Sequence, residues 1–80
     1  MPTRAFILIE TAVGRSRGVA EELRALPGVE NVDPVTGPYD IITVVSAGDL
    51  NAVGDLVTSQ IHTIGGIVRT VTCLSVGSGG

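Results

Sequence analysis

The chain has 80 residues, which is enough for one domain and only a small core. It is 44% apolar with a mean hydropathy of +0.46, and Phe6 and Tyr39 are its only aromatics, so that core must be aliphatic. A net charge of −3 and five scattered arginines exclude a phosphate-binding stripe, and the single cysteine excludes an intrachain disulfide and any multi-cysteine metal cluster.

In chain order, the first apolar run, AFILI, is too short for a signal peptide and closes on Glu10. No run approaches the roughly 18 apolar residues of a membrane helix, so a cytoplasmic protein without membrane contact is expected. This run reads as a strand over residues 4–10. A helix over residues 17–26 follows, with Ser16 as its N-cap and Val19, Leu23 and Leu26 as its apolar stripe. Pro27-Gly28 stops it. Strands are expected over residues 29–36 and 40–47, joined across VTGPYD, residues 35–40, where Gly-Pro is good turn chemistry. A second helix runs from an Asp49 cap to residue 64, with Leu50, Val53, Val57, Ile61 and Ile64 on one face. Gly54 costs it about 1 kcal/mol of propensity. Gly65-Gly66 ends it, and a last strand covers residues 67–76. Cys73 lies in that strand and reads as a buried structural thiol. The domain is expected to span residues 1–76, with GSGG at 77–80 as a flexible tail.

The chain repeats itself once. LRALPGV, starting at Leu23, and IHTIGGI, starting at Ile61, carry apolar residues at the first, fourth and last positions and Gly at the sixth. Each half is strand, helix, turn, strand. The order βαββαβ is the ferredoxin-like α+β pattern: a four-stranded antiparallel sheet with two helices on one face. The other face is apolar too. Phe6 and Leu8 oppose Ala5, Ile7 and Ile9; Ile42 and Val44 oppose Ile41 and Val45; Val71 and Cys73 oppose Val68, Leu74 and Val76. Two helices cover one face only, so a second copy is expected to cover the other by two-fold packing of sheet on sheet, as in a dimeric α/β barrel.

Catalytic motifs are absent. His62 follows a core position on the second helix and reads as a surface or capping residue. With no second histidine and one cysteine, no metal site is expected, and no cofactor. TAVGRSRG lacks the GxxxxGK[ST] and GxGxxG phosphate loops. The sheet interior lacks the aromatics on which RNA-recognition domains stack bases, and no CxxC is present for copper.

The run LPGVENVDPVTGPYDIITVV, followed by IHTIGGIVRTVTCLSV, resembles the effector-binding (RAM) domain of the Lrp/AsnC transcriptional regulators. The motifs are Leu26-Pro27-Gly28-Val29, Val35-Thr36-Gly37-Pro38-Tyr39-Asp40 and Thr70-Val71-Thr72, and the likeness spans residues 4–76. Pro38 departs from the pattern, since many full-length regulators carry an acidic residue there. The resemblance implies a homodimer closed by sheet packing, assembly into a larger ring of the octamer type, and a free amino acid bound between dimers. It also implies a stand-alone version of a domain that elsewhere follows a helix-turn-helix. Such a module would bind no nucleic acid itself and would act through full-length Lrp/AsnC regulators. A zwitterion needs donors for its carboxylate and an acceptor for its ammonium. Backbone at Gly37, Pro38 and Tyr39, the Asp40 carboxylate, and the hydroxyls of Thr70 and Thr72 are the candidate ligand-binding residues. Two other readings use the same topology: a small dimeric α/β-barrel enzyme of the oxygenase or isomerase type, and an ACT-like amino-acid sensor with side-by-side sheets.

Overall fold

The computed structural model describes residues 2–76. The tail at 77–80 lies outside the described residues. The elements are β1 (Thr3–Thr11), α1 (Ser16–Arg24), β2 (Val29–Pro34), β3 (Ile41–Ala47), α2 (Leu50–Leu56), which continues as a π-turn (Val57–Ile61), and β4 (Ile67–Leu74). The strands form one antiparallel sheet in the order β2-β3-β1-β4, the ferredoxin-like arrangement.

One core joins both helices to one sheet face. Ala5, Ile7 and Ile9 of β1, with Ile41 and Val45 of β3, are 0% exposed. They pack in one cluster with Val19, Ala20 and Leu23 of α1 and with Val53, Leu56, Val57 and Ile61 of α2 and its π-turn. Thr43 is buried on the same face, and its hydroxyl donates to the Asn31 carbonyl, so its burial leaves no orphan group.

The internal repeat is built into both helix ends. Gly28 and Gly66 both take positive φ, at 89° and 102°. The Leu26 carbonyl accepts from Val29 N–H at 3.4 Å, and the Ile64 carbonyl accepts from Ile67 N–H at 3.5 Å. Each glycine carbonyl then ties to a central strand of the other half, accepting from Ser46 N–H of β3 at 2.9 Å and from Ala12 N–H, just past β1, at 2.8 Å. At Gly66 a side chain has no room: a Cβ there would stand 2.9 Å from Arg15 Cβ and 3.2 Å from Val19 Cγ2.

Some local expectations are corrected. Ser16 is the first helical residue and not the cap; Arg15 holds the cap position without a side-chain bond, and the Ser16 hydroxyl pairs with Thr11 Oγ1 at 2.8 Å. Asp49 does cap α2, accepting from Ala52 N–H at 2.8 Å. The second helix is not α-helical to its end. His62 N–H bonds to the Val57 carbonyl, five residues back, at 2.9 Å. Leu56, at α-helical spacing from Val53, joins the buried stripe, which begins at Val53 and leaves Leu50 57% exposed. Cys73 is exposed in the single chain, because it lies on the sheet face that no helix covers.

Candidate functional site

The candidate residues gather near one end of the sheet, where β1 finishes and β3 and β4 start. The loop after β2 is closed by Val35 N–H donating to the Asp40 carbonyl at 2.9 Å, and Asp40 N–H then donates to the Ile9 carbonyl at 2.8 Å. The Asp40 side chain fixes the loop a third time. Its Oδ2 accepts from Thr11 N–H at 2.8 Å and from Thr11 Oγ1 at 3.3 Å. Thr11 in turn meets Ser16, so a chain of polar contacts runs from the loop through the end of β1 into α1. Asp40 Oδ1 has no hydrogen bond among the described residues. Gly37 is exposed, with φ +155°, and a Cβ there would meet nothing within 4 Å. Pro38 is exposed beside it.

Tyr39 leans over the sheet's end to β4. Arg69 Nη2 donates to the Tyr39 hydroxyl at 3.3 Å, and the guanidinium carbon stands 5.3 Å from the ring centroid. Arg69 Nε also pairs with Glu10 Oε1 at 3.4 Å. These groups are largely solvated, so the clasp contributes at most about 1 kcal/mol. Its effect is positional: it ties the loop to β4 across β1.

The two threonines sit on the other side of the sheet. Thr70 is paired with Ile9 and Thr72 with Ile7, residues that face the helices, whereas Arg69 is paired with Glu10. Thr70 Oγ1 bonds His62 Nε2 at 2.8 Å, just beyond the π-turn. His62, Ile67, Val68, Arg69 and Thr70 line an open depression of about 300 Å³. Thr72 is exposed and has no side-chain partner among the described residues. Within one chain, then, the structure joins Tyr39 to Arg69 and Asp40 to Thr11, and it does not join either to Thr70 or Thr72.

Sequence reasoning missed Thr11, Glu10 and Arg69 as neighbours of the loop, and it set His62 apart from Thr70. Thr11 follows from the β1–β3 register that ends on Ile9↔Ile41, and Glu10 and Arg69 from the register Glu10↔Arg69, neither of which pattern alone fixes. The π-turn that aims His62 at β4 left no signal in the apolar spacing. Among the described residues no group of three or more metal-ligating side chains comes together, and no helix is long and apolar enough to cross a membrane.

Comparison with known proteins places these features. Residues 4–78 match the Lrp/AsnC ligand binding domain. The chain is 36% identical over 76 residues to the uncharacterized HTH-type transcriptional regulator PH1916 of Pyrococcus horikoshii, covering 91% of this chain and 51% of that protein. It thus spans about half the length of the curated relatives it matches. The crystal structure of TTHA0845 from Thermus thermophilus superposes with a TM-score of 0.87 at 37% identity, over 91% of each chain. The L-Met complex of the transcriptional regulator NMB0573 from Neisseria meningitidis shares the fold, with a TM-score of 0.85 at 20% identity over 95% of this chain and 51% of that one.

Proposed function

The chain belongs to the Lrp/AsnC ligand-binding domain family, and from that membership we propose that it is a regulatory module whose effector is a free amino acid, held at the loop of residues 35–40. The observation that carries this reading is the divided Asp40 carboxylate. One oxygen is spent on Thr11, which holds the loop in place, and the other has no hydrogen bond among the described residues, on a loop whose Gly37 and Pro38 are exposed. A fixed carboxylate with a spare oxygen is what an ammonium group needs, and exposed loop amides suit a carboxylate. The methionine bound by the Neisseria regulator supports an amino acid as the ligand class.

Gly37, Pro38, Tyr39 and Asp40 of one copy would supply one wall of the pocket. Thr70 and Thr72 face away from them in the same chain, so they would serve the pocket from a neighbouring copy. The apolar open face, with Phe6, Leu8, Ile42, Val44 and Val71, would pair two chains face to face, and such dimers would build a ring of the octamer type. The module would act by binding, not by catalysis and without a metal or cofactor. It would work in the cytoplasm and transmit its state to full-length Lrp/AsnC regulators, and with a net charge of −3 this domain would make no DNA contact of its own.

The test is Asp40→Asn. The amide keeps the shape and can still accept from Thr11 N–H, but it loses the charge. A charge-assisted bond contributes about 1.5–3 kcal/mol, so affinity for the best-binding amino acid should fall by roughly tenfold to a hundredfold while the melting temperature barely moves. Unaltered affinity would confine Asp40 to holding the loop.

A further inference from the structure

Asp40 and Ser16 both forgo their usual local bonds. An Asp at a turn commonly bonds its own nearby backbone, and a Ser at a helix start commonly caps it. Here α1 starts without a side-chain cap, although Ser16 stands one residue from the cap position. Both side chains reach instead for one residue, Thr11, which is 29 positions from Asp40 and five from Ser16.

The backbone explains why Thr11 is there to be reached. The β1–β3 ladder ends at Ile9↔Ile41, with Asp40 N–H donating to the Ile9 carbonyl at 2.8 Å. Thr11 N–H, two residues further along β1, points to the same side, past the end of β3. Asp40 Oδ2 takes the place of the missing ladder carbonyl and accepts from it at 2.8 Å. The β1–β4 register shifts between Glu10 and Thr11, a bulge of the kind that re-aims one side chain. The Thr11 hydroxyl reaches the same Asp40 oxygen at 3.3 Å.

Donor and acceptor follow from the chemistry. A carboxylate only accepts, so the single hydroxyl hydrogen of Thr11 goes to Asp40. In the 2.8 Å contact between Thr11 Oγ1 and Ser16 Oγ, Ser16 is then the donor. The hydrogens run one way, from α1 through Thr11 to Asp40. One bond to Oδ2 would let the carboxylate pivot about that oxygen. Two donors on it, one of them aimed by Ser16, fix its plane and leave Oδ1 in reserve. All three residues are half-buried, between stretches 12–15 and 34–38 that are exposed.

We propose that Thr11 and Ser16 are positioning residues of the effector site. They hold the Asp40 carboxylate with its second oxygen presented to the ligand, so that affinity is set in part from the first turn of α1. The use made of this pose rests on the effector reading of Asp40; the hold itself does not.

Amide hydrogen exchange of the free protein tests the hold. The Thr11 amide is bonded to Asp40 Oδ2, so its protection reports the carboxylate directly. Thr11→Val keeps the shape and the N–H and removes the hydroxyl. Protection at position 11, corrected for intrinsic rates, should fall about tenfold, and Thr11→Ser should restore it. Calorimetry with the best-binding amino acid tests the use. Affinity should fall roughly tenfold in Thr11→Val and severalfold in Ser16→Ala, and return in Thr11→Ser. Alanine is the better helix former, so a Ser16 that served only α1 would give a variant of parent affinity and undiminished stability. The double variant Thr11→Val with Asp40→Asn should bind as Asp40→Asn alone does, because both act through one carboxylate. Unchanged protection at position 11 in Thr11→Val, or additive losses in the double variant, overturns the proposal. No binding by the parent, or an affinity unmoved in Asp40→Asn, would strike the effector reading instead, and the exchange at position 11 would still decide the hold.

Discussion

The two faces of the sheet are made of the same kind of residue and have opposite fates. On the helix side Ile7, Ile9, Ile41 and Val45 are completely buried. On the other side their immediate neighbours Phe6, Leu8, Ile42 and Val44 are only partly covered, and Phe6 is 38% exposed. About half the sheet's apolar surface is therefore not used in holding one chain together. Antiparallel sheets commonly leave one face to water, and then that face is polar. Here it is aliphatic, with charge only at the rim: Arg4 paired to Glu30, and Arg69 paired to Glu10. A surface of that kind fits an association surface better than a wetted one.

The largest expected effect comes from charging the sealed face. Ile7→Asp places an unpaired charge at a 0% exposed position, which costs more than a domain of this size has to spare, so the chain should be unfolded by circular dichroism. A cooperative thermal transition in that variant would mean that the sealed face is not the core. The matching substitution on the open face should behave differently. Val44→Asp leaves a side chain that water can reach in a single chain, so the protein should stay folded while sheet-to-sheet assembly is lost and the sedimenting mass falls to half or less. An unchanged mass would mean that the open face is not an association surface.

Gly66→Ala probes the sealed side at a finer scale. The new methyl would meet Arg15 and Val19, at a φ of 102° that suits glycine, and stability should fall by about 1–3 kcal/mol in a denaturant titration. Gly37→Ala has open space around it and should cost less. The smallest effect belongs to the clasp: Arg69→Ala should change stability by under about 1 kcal/mol. It should, however, broaden the amide resonances of residues 35–40 by freeing the loop.

Much of this architecture is legible in the sequence. The repeat of Leu26-Pro27-Gly28 in Ile64-Gly65-Gly66 announces two equivalent helix ends, and strict alternation in β1 and β3 gives both faces. What covers an apolar face is not written in its alternation, which is why Cys73 reads as buried and is exposed. Ser16 looks like a cap because cap preference is local, whereas its hydroxyl answers to Thr11, which only the tertiary fold brings near. The site is legible as a loop and not as a neighbourhood. Tyr39 and Arg69 are brought together by strand order and register, and the π-turn that sets His62 on Thr70 depends on packing against the sheet.

The regulatory role proposed for this chain stands on its binding of a free amino acid. Titration calorimetry of the unmodified protein against each of the twenty amino acids measures that directly. Saturable binding of at least one is expected at sub-millimolar concentration, with a dissociation constant that rises in Asp40→Asn. No heat of binding from any of the twenty at millimolar concentration, from a protein that is folded and assembled, would contradict it.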